Sequence, residues 1–365
     1  MRTSNHWLLV NLPATLILSL GLAIFATHAS ARGAPPPHVL PVSLSPTQTT
    51  MAAMNKANAA VVGIRVKAVE DASSALTLGM DRTGSGVVIE PDGLILTIGY
   101  LLVEAQQIEI VTQDNKILPA TAVAYDVATG FGLVKPLLPL RGVTPVKLGS
   151  IQDLKPGEPL IAATGATTDG QDGDVSTTRL ISTRAFTGNW EYHIDTALFT
   201  SPPVSAGSGN HSGAPLFNLK GEVVGIGSLL VMDASGENRR LPGNMFVPVD
   251  LLKPVLSEMK QSGRSRQSYR PWLGLTSTDQ SGEVEIVRVS ANSPAENAGL
   301  QVGEVVLAVD GKDVSTLESF YKMLWAHTNP DEPVSLTLRS EDDEVKVVVL
   351  TPEDRMSTLK KPAGI

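Results

Sequence analysis

Ser212 stands in the stretch Asn210-His211-Ser212-Gly213-Ala214-Pro215-Leu216, small residues leading into an apolar run. A serine hydroxyl is a weak nucleophile at neutral pH and needs a neighbouring base, normally a histidine held by a carboxylate. Gly213 and Ala214 leave room for a substrate backbone. The amide N–H groups of Ser212 and Asn210 would point at a developing oxyanion. Taken alone, the same residues also make a turn between two strands, so the neighbouring segments decide between the two.

The candidate bases are few. Beyond residue 31 the histidines are His38, His193, His211 and His327. His38 falls in a Pro-rich stretch, His327 near the C-terminal end, and His211 directly precedes Ser212, which turns the two side chains apart. His193 lies on a strand-like run, Glu191-Tyr192-His193-Ile194-Asp195, with Asp195 on the same face. Two readings stay open: a rewired Ser212 and His193 pair, or a half-buried strand histidine with its hydrogen bonds satisfied. No metal-ligand spacing and no phosphate loop emerge, and Gly84-Ser85-Gly86 fits hairpin packing better than nucleotide binding. Neither a metal nor a cofactor is expected.

The elements that must hold these residues are short strands. Gly84 to Thr97 reads as two of them joined at Pro91-Asp92-Gly93. Ala60 to Val66, Ile108 to Val111 and Leu160 to Ala163 are further aliphatic runs at the intervals of an all-β barrel. Residues 248 to 261, with Leu251, Leu252, Val255, Leu256 and Met259 at helical spacing, predict a helix. The 365 residues, 42% hydrophobic and only 18% charged with 32 glycines, suit a turn-rich β protein with two cores. A formal charge of −8 without a basic run argues against nucleic acid as a partner.

Together, Gly84-Ser85-Gly86-Val87-Val88-Ile89, Leu148-Gly149-Ser150, Leu154-Lys155-Pro156-Gly157-Glu158, the Ser212 loop and Gly221-Glu222-Val223-Val224-Gly225-Ile226 resemble the HtrA (Deg) family of trypsin-like proteases, over roughly residues 52 to 353. The last hundred residues resemble the PDZ domain of that family, through Trp272-Leu273-Gly274-Leu275, Ser293-Pro294-Ala295-Glu296-Asn297-Ala298-Gly299-Leu300, Gly303 to Gly311 and a helix from about Thr316 to Ala326. The resemblance implies a mainly β fold: a trypsin-like double six-stranded β-barrel followed by a small α+β PDZ domain. It also implies that residues 248 to 261 pack on the second barrel.

Carried over residue by residue, the resemblance leaves the catalytic set incomplete. Tyr100 stands at the family's histidine position, Gly130 at its aspartate position, and only Ser212 is retained. A tyrosine of ordinary pKa near 10 is no general base at pH 7, and a glycine neither orients nor stabilises an imidazolium. Loss of triad members costs on the order of 10⁴ to 10⁶ in kcat. Asn210 takes the oxyanion-hole glycine position, where a positive φ disfavours other residues, although Asn tolerates it better than most. Residues 200 to 208 read as an irregular loop bordering the cleft. In the PDZ domain, the backbone N–H groups of Leu273, Gly274 and Leu275 are expected to hold a terminal carboxylate while the peptide adds as a strand. A structural or autoinhibitory PDZ domain is the alternative. Trp325 and Tyr321 are expected in the core.

Two functions from different classes follow. One is a catalytically deficient homologue in protein quality control that binds unfolded segments or C-terminal peptides, or modulates an active HtrA-like paralogue, as a homo-oligomer or as a hetero-oligomer with that paralogue. The other is a serine endopeptidase of misfolded exported proteins acting through Ser212 with a rewired base. Arg2, the apolar stretch near Leu16 to Ala26 and Ala29-Ser30-Ala31 predict a signal peptide cleaved after Ala31, and export to the periplasm. An uncleaved inner-membrane anchor is the alternative. The absence of cysteine leaves a core that folds without disulfides. The expected organisation is signal 1–31, Pro-rich linker 32–50, protease-fold domain 51–261, linker 262–269, PDZ domain 270–353 and tail 354–365.

Overall fold

The computed structural model describes residues 48–167, 169–204, 211–327, 329 and 331–360. The expected signal peptide, residues 32–47 of the expected linker and Asn210 lie outside the described residues.

Helix α1 (Gln48–Asn58) takes in the last three residues of the stretch expected to be linker, because its Met and Ala residues favour a helix and Met54 and Ala57 bury. The first barrel follows: β1 (Val61–Ala68), the short α2 (Ala75–Leu78), β2 (Asp81–Val88), β3 (Ile95–Ile98), β4 (Ala105–Val111), β5 (Ile117–Tyr125) and β6 (Phe131–Pro136), closed in the order β1-β2-β3-β6-β5-β4. The second is built from β7 (Pro159–Ala163), β8 (Val175–Gly188), β9 (Tyr192–Ser201), β10 (Pro215–Phe217), β11 (Val223–Val231) and β12 (Gly243–Pro248), closed as β10-β11-β12-β9-β8-β7. Closure leaves neither sheet an unpaired edge. Aliphatic and aromatic side chains, among them Ile95, Phe131 and Leu133 in the first barrel and Leu160, Phe199 and Phe246 in the second, are fully buried.

The helix predicted over 248 to 261 is broken. Residues Val249–Leu251 form a 3-10 turn, and α3 spans only Leu256–Ser262. Pro254 is the cause: it offers no N–H to a helix and disfavours the helical conformation of the residue before it. The spacing still placed the right side chains inward, since Leu252, Val255 and Met259 are buried. Gly263 ends α3 in the left-handed region, φ 77°, with its N–H donating to the Met259 carbonyl.

The C-terminal sheet has the order β14-β15-β16-β18-β19, with β17 on β16. Its elements are β13 (Pro271–Trp272), β14 (Leu275–Thr278), β15 (Val284–Val289), α4 (Pro294–Asn297), β16 (Val305–Val309), β17 (Lys312–Asp313), α5 (Leu317–Leu324), β18 (Val334–Arg339), β19 (Val345–Leu350) and β20 (Glu353–Asp354). Thr316 caps α5 through a reciprocal pair with Ser319. Leu273, Ile286, Phe320, Tyr321 and Leu336 fill the core, as expected for Tyr321; Trp325 is half-buried against it.

Residues 262–269 are not a loose linker. Arg266–Ser268 is a 3-10 turn, and Ser265 and Ser268 are buried. Both donate to the fully buried Asp126 carboxylate, Ser265 through its amide at 2.9 Å and Ser268 through its hydroxyl, while Thr129 donates to the other oxygen. A buried carboxylate requires this many donors, and a Ser-rich connection supplies them. The expected tail is also held. Asp354 pairs with Pro271, and the Lys360 amide donates to Glu104 at 3.0 Å.

Candidate functional site

Ser212 reaches its place through a turn wedged between the barrels. Its carbonyl accepts the Ser85 amide of β2 at 2.8 Å, and the Thr97 hydroxyl donates to the Ser85 carbonyl at 2.7 Å. This is why Gly84 is glycine: a Cβ there would stand 2.6 Å from the Ser212 carbonyl oxygen. Gly213, at φ 79°, anchors the other side of the turn, its amide donating to the Gly227 carbonyl at 2.7 Å. The Gly-Ser-Gly hairpin therefore holds the Ser212 loop of the other barrel.

Tyr100 comes from the 3-10 turn Gly99–Leu102 that follows β3. Its phenol oxygen lies 2.6 Å from Ser212 Oγ and 2.7 Å from the Ser228 carbonyl oxygen. The Ser228 carbonyl only accepts, so the phenol hydrogen serves it or the serine, one at a time. Burial pushes the phenol up to about 12, with the Ser212 hydrogen bond opposing this only in part. The phenolate that could take a proton from Ser212 is then about 10⁻⁵ of the population at pH 7. Tyr100 thus holds the serine hydroxyl with a phenol that keeps its proton at neutral pH.

Gly130 lies behind Tyr100, its carbonyl accepting the Gly99 amide at 2.7 Å. It has φ 83°, and its surroundings are filled by Tyr192, whose hydroxyl donates to the Thr129 carbonyl at 2.9 Å. Burial pushes the Tyr192 phenol far upward, so this hydroxyl is a donor and not a carboxylate substitute. In Asp126, four residues earlier, burial works to raise the pKa. Hydrogen bonds from Ser265, Ser268 and Thr129 overcome it and hold the carboxyl below its ordinary range.

His193 sits elsewhere. Its Nδ1 is 2.8 Å from the Thr187 hydroxyl and its Nε2 3.2 Å from Asp195 Oδ1, with Glu318 of α5 at 3.9 Å. Asp195 does share its face, but the pair is turned towards α5. His193, Asp195 and Glu318 offer ligand atoms close enough to surround a cation. The Lys322 ammonium, 2.7 Å from both carboxylates, already supplies the positive charge there. His211 is half-buried, and burial pulls its imidazole down.

The amides expected to hold a peptide's terminal carboxylate have a partner within the chain. The amides of Gly274 and Leu275 donate to Glu191 Oε1 at 3.2 and 3.1 Å. Glu191, only 3% exposed, belongs to the tip between β8 and β9. By sequence Glu191 reads as the start of a strand. The available signal was an acidic residue beside Asn189-Trp190 at the end of a long hairpin.

Residues 84–226 match the trypsin-like peptidase domain and residues 271–351 the PDZ domain. A probable periplasmic serine endoprotease DegP-like of Hahella chejuensis is 28% identical over 298 residues, covering 77% of this chain and 60% of the relative. A DegP-like protein of Pseudomonas putida is 31% identical over 244 residues, 63% of this chain and 48% of the relative. The chain thus spans about half to three fifths of the length of these two. The serine endoprotease DegS of Haemophilus influenzae is 27% identical over 72% of this chain and 74% of the relative. Among solved structures, the serine endoprotease of Yersinia pestis superposes with a TM-score of 0.51 at 21% identity, covering 85% of this chain and 98% of the other. The HtrA-type protease AlgW with tripeptide gives 0.51 at 18%, covering 86% and 98%. These two likenesses speak to the fold.

Proposed function

We propose that this chain, an HtrA/DegP-family trypsin-like peptidase fold joined to a PDZ domain, is a catalytically deficient member that holds peptide segments and does not cleave them. The observation that carries this reading is the 2.6 Å approach of Tyr100 Oη to Ser212 Oγ. Nucleophilic catalysis requires a base at that place, and a buried phenol of raised pKa is not one. Gly130 offers no carboxylate behind it, and His193 is engaged with Thr187 and Asp195.

Its partners are unfolded segments or C-terminal peptides of exported proteins, bound in the cleft between the barrels and in the PDZ groove. An HtrA-like paralogue is a further partner, modulated through mixed oligomers. The leader read from residues 1–31 and the periplasmic relatives support a periplasmic location. Among the described residues no helix is long and apolar enough to cross a membrane.

The test is active-site labelling of the purified protein with a fluorophosphonate probe, alongside cleavage of unfolded casein, for wild type and Ser212→Ala. No Ser212-dependent labelling or cleavage is expected from a folded protein. Labelling and cleavage that vanish in the variant would overturn the reading and establish an endopeptidase with an unconventional base.

A further inference from the structure

Strand β14 is an edge strand of the C-terminal sheet, and its free side is occupied by the tip of the β8–β9 hairpin. The Ser277 amide donates to the Asn189 carbonyl at 3.1 Å. Two residues back, Leu275 and the adjoining Gly274 donate to Glu191 Oε1 at 3.1 and 3.2 Å. From the opposite side, the Tyr321 hydroxyl of α5 accepts the Glu191 amide at 3.2 Å. Asn189 to Glu191 therefore lie between β14 and α5, the place where an extended ligand adds to such a sheet. One backbone hydrogen bond joins the tip to the strand edge, and a carboxylate sits at the end of the strand.

Two further features show that the arrangement is built. Glu191 adopts φ 57°, a conformation non-glycine residues rarely take, and this turns its side chain out of the hairpin and into the seat. Arg355 donates to the neighbouring Trp190 carbonyl at 2.9 Å, and Lys322 of α5 bridges to Asp195 of β9 at 2.7 Å, so the hairpin is fixed on both flanks. The partner of the Gly274 and Leu275 amides is the chain's own carboxyl group.

We propose that Asn189 to Glu191 is an internal ligand of the PDZ groove, the Glu191 carboxyl standing in for a peptide's C-terminal carboxylate, so that a peptide with a free C-terminus binds only by displacing it. The proposal rests on the reading of Leu273 to Leu275 as a peptide seat. A site occupied in this way binds an outside ligand more weakly, in proportion to the fraction of molecules in which it is open.

The test uses the full chain and a fluorescein-labelled random decapeptide library, once with free C-termini and once C-terminally amidated. Binding is followed by anisotropy for wild type, Glu191→Ala and Glu191→Gln, and hydrogen exchange is followed over residues 273–278. For Glu191→Ala, about tenfold tighter binding of the free-carboxylate library is expected, with no gain for the amidated one and faster exchange at 275 and 277. Glu191→Gln keeps an acceptor oxygen and should show a smaller gain, which serves if the alanine variant fails to fold. Equal affinity of wild type and both variants would overturn the internal ligand. Faster exchange without carboxylate-dependent binding in any protein would overturn it together with the peptide seat, and so separates the two failures.

Discussion

The Tyr192 hydroxyl lies 2.8 Å from where a Cβ on Gly130 would stand, so the second barrel fills the space that a side chain at position 130 would need. A carboxylate side chain at position 130 is therefore opposed by packing. At φ 83°, an Asp there would also be strained. Gly130→Asp is expected to destabilise the fold by roughly 2–4 kcal/mol, seen as a fall in Tm. Tyr100→His with Gly130→Asp should label no better with a fluorophosphonate than wild type. Tyr192→Phe, which removes the overlapping hydroxyl, should reduce the cost of Gly130→Asp in a double-mutant cycle, and an unchanged cost would refute the overlap.

Tyr100→Phe tests whether the phenol has a structural role. The variant leaves the Ser228 carbonyl and the Ser212 hydroxyl each without a partner they now have. A loss of about 1–3 kcal/mol by denaturant titration is expected, with no gain in serine reactivity. Increased labelling would mean that the phenol suppresses a base located elsewhere.

Glu191 gives the closed groove a pH dependence. Burial pushes its carboxyl up from 4.5 to about 7, against the opposing effects of Arg355 and of the amides of residues 273–275. The other titratable group facing it, the Tyr321 phenol, is pushed up by burial and the Glu191 charge and stays neutral in this range. Docking a group whose pKa rises takes up a proton. The docked state is therefore fully favoured below about 4.5, weakens as pH rises to about 7 and levels off above. Affinity for free C-termini should rise by on the order of 10² across that window, and Glu191→Gln should flatten the curve. A wild-type curve already flat would remove the titration from the account.

Asp126 works in the opposite sense. Its depressed pKa contributes stability that is present above the ordinary carboxyl range and is lost as pH falls through the folded value. Asp126→Asn should lower stability by about 2–4 kcal/mol at neutral pH, reduce the acid sensitivity of unfolding and expose residues 262–269 to limited proteolysis. Retained protease resistance would show that the connection is held by other contacts.

The short strands and their turns were legible from local signals, turn residues between aliphatic runs; their closure into two barrels, the C-terminal sheet and α5 were legible through the resemblance to the family. The placement of Tyr100 beside Ser212 was legible only through alignment to a family pattern, since no local property of Thr97-Ile98-Gly99-Tyr100 points across 112 residues to its partner. The break in the helix expected over 248 to 261 follows from one residue, Pro254. Two features could not be read at all. Ser265 and Ser268 have linker composition, and only the buried Asp126, far away in sequence, makes them structural. Glu191 fits a strand by composition, and its role appears only when the hairpin tip meets the amides of residues 274 and 275. Both depend on long-range polar pairs, which hydrophobic periodicity does not encode.

The C-terminal domain is moored to the barrels at both of its ends. At its entrance, Asp126 holds Ser265 and Ser268, while Arg264 grips Asp354 at 2.7 Å and β13 pairs with β20; at its exit, the Lys360 amide rests on Glu104 of the first barrel. A module attached in this way cannot swing out like a pendant on a single thread. To free its groove it must rock about an axis through two fixed points, and a chain cut just after Asp354 would have only one of them left.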